Sequence, residues 1–143
     1  DQWERLGQHP DLAVSAAEEV LRFEPAGSGS PRLATQDIEY KGLHIAAGTI
    51  ALPSGPAANR DPDIYPNPDR FDITREHAEP MLTFGGGDHY CLGASLARFE
   101  IQEALTILSK RLPKLAMNGE ARWRHGALIR GPEELPIRFD AQH

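Results

Sequence analysis

Hydrophobic residues recur at helical spacing in two stretches of the chain. The first stretch predicts a helix over residues 11–24, which Pro25 would end. Its apolar positions are Leu12, Ala16, Val20 and Phe23. The second stretch predicts the longest helix, over residues 92–112, with one continuous apolar face. The positions on that face are Ala94, Ala97, Ile101, Leu105, Leu108 and Leu112.

The remaining apolar runs are too short for helices and are separated by turn residues. Residues 32–53 predict strand hairpins, and residues 115–140 predict short C-terminal strands. These last strands are expected at Leu115–Met117, Ala121–Trp123, Leu128–Arg130 and Pro136–Phe139. Residues 54–80 are rich in proline but contain aromatic residues that a disordered linker would lack, so they predict an ordered meander. The expected fold class is mainly α with small antiparallel β-sheets.

Composition and charge exclude several classes of protein. The chain has 143 residues, the length of one ordinary domain. A net charge of −6 without a run of Lys or Arg argues against nucleic-acid binding. The single cysteine excludes an internal disulfide, and no apolar stretch approaches the roughly 20 residues that cross a bilayer. Because the chain opens within a helical pattern and without a methionine, we expect a truncated fragment of a longer protein.

Cys91 is the residue with the clearest potential for chemistry. It lies near the end of a glycine-rich loop over 84–93, just before the start of the long predicted helix. Unsatisfied amides at a helix N-terminus favour a thiolate over a thiol. Gly85, Gly87 and Gly93 permit backbone conformations in which the loop folds closely around the sulfur.

Four interpretations of Cys91 fit this placement. The first is a structural cysteine, and the second is a nucleophile with His89 as its base. The third is a zinc ligand, although His89 and Cys91 together supply at most two of the ligands. The fourth is the thiolate ligand of a haem iron, which requires only this one protein ligand. That last interpretation uses the cysteine, the glycines and the helix together.

Three motifs occur in an order that resembles a known family. They are Glu19-Val20-Leu21-Arg22, Pro68-Asp69-Arg70-Phe71 and Phe84-x-x-Gly87-x-x-x-Cys91-x-Gly93. In this order they resemble the Glu-x-x-Arg helix, the meander and the haem-binding loop of the cytochrome P450 family, the haem-thiolate monooxygenases. Asp69 stands where the family usually has Glu. The resemblance covers nearly the whole chain and implies the C-terminal, proximal part of the fold of a bacterial-type member, which is incomplete here.

The resemblance also implies a cofactor, haem b, and the residues that contact it. The expected cofactor-binding residues are Cys91, Phe84, Gly85, Gly87, His89, Gly93 and Arg32. Cys91 would be the axial ligand of the haem iron, while His89 and Arg32 would donate charge-assisted hydrogen bonds to the haem propionates. No catalytic residue is expected in this fragment beyond the haem ligand.

A structural charge network is expected beside this site. Glu19 and Arg22 share one face of the first predicted helix at i, i+3, where a carboxylate and a guanidinium can pair. By resemblance, Arg70 from the meander joins them as the third member. The network would lock the meander against the helix and so fix the cysteine loop.

The function implied by the resemblance is insertion of one atom of O2 into an organic substrate. No match to the family's distal helix, with its acid–alcohol pair, occurs in the chain. We therefore expect only the haem-ligand part of a monooxygenase, inactive by itself. The alternative is a non-catalytic haem-binding or truncated fragment without oxygenase activity of its own.

The resemblance further implies partners and a compartment. The expected electron donor is a ferredoxin, a flavodoxin-type protein or a reductase, and the expected substrate is a small organic molecule. Candidate positive charges for the donor are Arg60, Arg75, Arg98 and Lys110. We expect self-association through an exposed apolar face, including the stripe of the helix over 92–112. A cytoplasmic location is expected, with no nucleic-acid partner and no membrane span.

Overall fold

Four helices and eight short strands make up the described part of the chain. The computed structural model describes residues 2–76, 81–124 and 129–140. The helices are α1 (Gln2–Gln8), α2 (Ala13–Phe23), α3 (Gly55–Ala58) and α4 (Ala94–Arg111), with 3₁₀ turns at Pro10–Leu12 and Gly87–His89. The strands are β1 (Arg32–Leu33), β2 (Ile38–Tyr40), β3 (Leu43–Ile45), β4 (Ile50–Ala51), β5 (Ala116–Met117), β6 (Arg122–Trp123), β7 (Pro132–Glu134) and β8 (Ile137–Arg138).

The strands form four separate two-stranded antiparallel sheets. β1 pairs with β4, β2 with β3, β5 with β8 and β6 with β7. The expected fold class, mainly α with small antiparallel sheets, is confirmed. Residues 77–80 of the predicted meander and residue 128 of a predicted strand lie outside the described residues. Ile129 forms a single bridge with Gly27, and the strand that pairs with β6 is β7.

The core lies between α1, α2 and α4. Leu6 of α1, Ala13 and Ala16 of α2 and Ile73 of the meander form a buried cluster, against which Leu105 of α4 packs. The two alanines have small side chains at the contact, so the helix backbones approach closely. The meander is thus part of the core, because it supplies one of the four buried residues.

Both ends of the short helix α1 contact the C-terminal end of α4. The Trp3 indole Nε1 donates to the Leu112 carbonyl at 2.9 Å. Gly7 lies so near α4 that a Cβ placed there would be 2.9 Å from the Ser109 carbonyl oxygen. The contact therefore requires glycine at position 7.

Most of the predicted apolar stripe on α4 faces the other helices. Ala94 is buried, and four further stripe residues are partly buried; they are Ala97, Ile101, Leu105 and Leu112. The expectation that this stripe meets solvent is wrong, because α1 and α2 pack on α4. One stripe residue, Leu108, is exposed. Exposed apolar side chains outside the stripe are Leu92, just before α4, and Leu96, Phe99 and Ile107 on the helix.

The segment before the cysteine loop runs past the end of α2. The Thr83 hydroxyl donates to the Leu21 carbonyl at 2.7 Å. From there the chain enters the loop over 84–93, which leads directly into α4. The loop therefore lies between the C-terminal end of α2 and the N-terminal end of α4. Within the described residues no helix has both the length and the apolar character needed to span a membrane.

Candidate functional site

The cysteine loop is closed by hydrogen bonds of its own backbone. The Cys91 amide donates to the Phe84 carbonyl, and the Tyr90 amide donates to the Gly87 carbonyl, each at 3.0 Å. Gly85 and Gly87 have φ angles of 75° and 67°, a left-handed conformation that glycine adopts without steric cost. The glycine pattern therefore produces a tight loop that ends on an exposed cysteine.

The sulfur-bearing residue lines a cavity of about 520 Å³. Three segments form its walls: residues 27–32, residues 53–58 and residues 82–91. Five of the predicted cofactor-binding residues line it together, namely Arg32, Phe84, Gly85, His89 and Cys91. Gly87 lies within the same loop. Gly93 follows it, where a Cβ would be 3.8 Å from Cys91 Sγ, which is an ordinary van der Waals contact.

Two nitrogen-bearing side chains lie on the wall of the cavity. Arg32 extends from β1, where its Nη1 donates to Ser30 Oγ at 2.7 Å and to the Pro31 carbonyl at 3.1 Å. His89 belongs to the 3₁₀ turn just before Cys91, and its side chain is exposed. Both can donate to an anionic group placed in the cavity.

The donor set fits a haem. If haem binds here, Cys91 would offer its sulfur to the iron, and Arg32 and His89 would offer donors to the propionates. The zinc interpretation needs further ligands, and no group of three His, Cys, Asp or Glu side chains that could hold a metal ion occurs among residues 2–76, 81–124 and 129–140. These observations favour the haem interpretation of the loop.

A buried charge network lies behind the loop, on α2. Arg22 donates to both oxygens of Glu19, at 2.7 Å from Nε and 2.9 Å from Nη2. Both residues are completely buried. Arg22 Nη1 also donates to the carbonyls of Asn59 and Pro68, each at 2.9 Å. The pair thus joins α2 to two points of the meander.

The pKa of Glu19 is below its ordinary value. Burial would raise the pKa, but the hydrogen bond from Arg22, the amide of Asp72 and the charges of Arg22 and Arg75 outweigh this effect. The Asp72 amide donates to Glu19 Oε1 at 2.8 Å. Glu19 is therefore a carboxylate that the meander helps to hold in its charged form.

The third member of the network, and its second guanidinium, is Arg75 rather than Arg70. Arg75 Nε lies 3.1 Å from Glu19 Oε2, and its side chain is only 11% exposed. The guanidinium of Arg70 lies 3.5 Å from Asp72 and is 72% exposed. Arg70 contributes its backbone carbonyl, which accepts from Arg22 and Arg75. The expected role of the Arg70 side chain is corrected accordingly.

Asn59 carries the network to the cysteine loop. It is 1% exposed and accepts from the Leu82 amide at 2.8 Å through Oδ1. Its Nδ2 donates to Thr83 Oγ1, also at 2.8 Å. Because Leu82 and Thr83 directly precede Phe84, the buried pair on α2 and the loop share one chain of hydrogen bonds.

Comparison with known proteins agrees with this arrangement. The family model described as cytochrome P450 matches residues 9–113, more than half of the chain. The chain belongs to the cytochrome P450 family. The matched residues include the Glu19–Arg22 pair, the meander and the cysteine loop.

Curated P450 relatives are similar over almost the whole chain. Nocardicin C N-oxygenase of Nocardia uniformis subsp. tsuyamanensis is 47% identical over 144 residues, which cover 97% of this chain and 36% of the relative. Luteothin monooxygenase of Streptomyces thioluteus is 43% identical over 142 residues, which cover 99% of this chain and 35% of the relative. The chain therefore spans about a third of the length of these relatives.

Solved P450 structures share the fold of the chain. P450BioI, in complex with an acyl carrier protein ligated to hexadec-9Z-enoic acid, superposes with a TM-score of 0.91 at 45% identity. The match covers 97% of this chain and 36% of that one. CalO2 superposes with a TM-score of 0.92 at 35% identity, covering 99% and 36% of the two chains. The family and the proximal part of the P450 fold are thus confirmed.

The P450 motifs missed two residues that the structure brings into the support of the loop. Arg75 was expected at a solvated face for an electron donor, yet it is largely buried against Glu19. Asn59 lies in none of the three motifs. Local spacing carries no signal for either residue, because both act on segments far away in the sequence.

Proposed function

We propose that this P450 chain is the haem-ligand part of a haem-thiolate monooxygenase that inserts one atom of O2 into a small organic substrate. The observation that carries the proposal is the exposed Cys91, which closes a glycine loop at the edge of a cavity also lined by Arg32 and His89. Family membership supports it, because members are haem enzymes.

Each residue of the site has a separate task. Cys91 presents its thiolate to the iron, and Arg32 and His89 orient the cofactor through its propionates. The ring of Phe84 limits the access of water to the sulfur, which influences the reduction potential. When bound, haem supplies the activation of dioxygen, which the electron-donating thiolate ligand favours.

The proposed cofactor, electron donor and location rest on the similarity to P450 proteins. The cofactor is haem b, and the electrons come from a ferredoxin, a flavodoxin-type protein or a reductase. The location is the cytoplasm. P450BioI is in complex with an acyl carrier protein ligated to hexadec-9Z-enoic acid, so a carrier-bound acyl chain is one candidate for the organic substrate.

A second copy of the chain is proposed as a further partner. Leu96 and Phe99 lie at i, i+3 on one side of the start of α4, and Leu92 directly precedes the N-cap residue of that helix. We define this set as the Leu92–Phe99 patch. All three side chains are more than half exposed, and apolar patches of this kind favour association.

The test is a carbon monoxide difference spectrum of the chain after addition of haemin and reduction with dithionite. We expect a strongly red-shifted Soret band, the signature of thiolate ligation. In Cys91→Ser this band should disappear, because a serine hydroxyl does not replace the thiolate as a ligand. The circular dichroism spectrum of Cys91→Ser should match that of the parent, which shows that the fold is retained.

Two results would contradict the proposal. A red-shifted band that persists in Cys91→Ser would show that another residue ligates the iron. Haem binding with only the band of histidine-ligated or unligated haem would favour the alternative, a haem-binding fragment that does not build the thiolate site.

A further inference from the structure

Arg98 links both packed helices to the two aromatic residues that flank the cysteine loop. From α4, its Nε donates to Glu18 Oε1 of α2 at 2.7 Å. Its Nη1 donates to Tyr90 Oη at 3.1 Å. Its guanidinium carbon lies 4.7 Å from the centroid of the Phe84 ring, within the range of a cation–π interaction.

The two aromatic residues lie at opposite ends of the loop. Phe84 opens it, and Tyr90 immediately precedes Cys91. Their rings meet edge to face with 6.4 Å between centroids, and the Phe84 carbonyl accepts the Cys91 amide. A group that holds both rings therefore restrains both ends of the segment that presents the sulfur.

Glu18 fixes the guanidinium in this position. The side chains of Arg98 and Glu18 are 28% and 20% exposed, so their pairing takes place partly out of water. The hydrogen bond to Glu18 is the main cause that raises the pKa of Arg98, with Tyr90 contributing. The planar guanidinium serves Glu18, Tyr90 and Phe84 at once, which a lysine ammonium does not reproduce.

We propose that Arg98 is the positioning residue of the cysteine loop: anchored on Glu18, it clamps Phe84 and Tyr90 and so keeps Cys91 in its ligand-presenting conformation. The purpose of that conformation, haem ligation, rests on the proposed function. The clamp itself is a property of the haem-free chain and is tested separately.

The chain contains a matched control for this residue. Arg60 lies with its guanidinium carbon 4.2 Å from the centroid of Phe23 and donates to Asp69 Oδ1 at 3.1 Å. Arg60→Leu and Arg98→Leu thus both remove a guanidinium stacked on a phenylalanine and paired with a carboxylate. Of these two arginines, Arg98 is the one whose contacts are with the loop.

The first measurement is hydrogen–deuterium exchange of the haem-free chain. In Arg98→Leu we expect the amides of Tyr90 and Cys91 to exchange roughly tenfold faster than in the parent. In Arg60→Leu they should exchange at the parental rate. Equal acceleration in both variants, or none in Arg98→Leu, would overturn the proposal.

The second measurement follows the carbon monoxide complex of the haem-loaded chain over time. We expect Arg98→Leu to lose its thiolate band several-fold faster than Arg60→Leu, with Arg98→Lys intermediate because it keeps the charge over Phe84. Equal lifetimes in both leucine variants would contradict a role of the clamp in ligation. Should the parent lack the thiolate band, the proposed function fails, while the exchange result still decides the clamp.

Discussion

Arg75 and Arg70 lie five residues apart in the meander but have opposite surroundings. Arg75 donates to both oxygens of Glu19 and to the carbonyls of Pro66 and Asn67. We expect Arg75→Gln to lower the free energy of unfolding by about 3 kcal/mol, because several charge-assisted bonds to a buried partner are lost. Urea denaturation of the purified chain measures this difference.

Arg70→Gln is the control for that substitution. It makes the same chemical change at a side chain that is 72% exposed, and the Arg70 carbonyl that accepts from Arg22 and Arg75 is retained. Its expected cost is below about 1 kcal/mol. A larger loss for Arg70→Gln than for Arg75→Gln would restore Arg70 as the third member of the network.

At the scale of elements, the meander and its contact with α2 both contain ionised carboxylates, Asp72 within the meander and Glu19 at the contact. The pKa of Asp72 is lowered, chiefly by hydrogen bonds from the hydroxyl and amide of Thr74, and that of Glu19 is lowered as described above. In the acidic range the unfolded chain therefore binds more protons than the folded chain. We expect stability to be present at neutral pH and to fall progressively from about pH 5 downward.

Urea midpoints measured between pH 7 and pH 3 test this dependence. Asp72→Asn should show a shallower fall than the parent, because its share of the proton linkage is removed. Asp69→Asn serves as the charge-matched control, since the Asp69 side chain is 83% exposed. A midpoint that stays constant below pH 5 in the parent would show that these carboxylates do not govern the contact.

The elements differ in how far the sequence determines them. The packed face of α4 follows from the three- and four-residue spacing of Ala94, Ala97 and Ile101, because a helix turns that spacing into one face. Leu108 fits the same pattern but is 42% exposed, since which edge of the face is covered depends on where α1 and α2 lie. The periodicity of one helix does not predict where the neighbouring helices lie.

The site shows the same division. The cysteine, its glycines and the Glu19–Arg22 pair are local patterns, and the sequence alone brings them into view. The choice between Arg70 and Arg75 depends on the path of the backbone between them, where Asp72 Oδ1 accepts from Thr74. The clamp by Arg98 joins Glu18, Phe84 and Tyr90 across separate elements, so it becomes visible only in the fold.

For the whole molecule, apolar side chains are exposed along one side of α4. Phe99, in the Leu92–Phe99 patch, is 66% exposed, and a second copy of the chain is the partner proposed for it. We expect the weight-average mass in sedimentation equilibrium to rise with concentration. Phe99→Lys should shift this rise to higher concentrations by roughly tenfold, because it removes apolar area from the contact and places a charge there.

Asn118→Lys separates this effect from a general change in charge. It alters the net charge by the same amount as Phe99→Lys, at an exposed position next to β5 that is not part of the Leu92–Phe99 patch. Under the proposal, Asn118→Lys associates as the parent does. If both lysine variants dissociate equally, the effect does not depend on the substituted position, and the patch is not the contact. A parent chain that remains monomeric at all concentrations would show that the exposed side of α4 does not drive self-association.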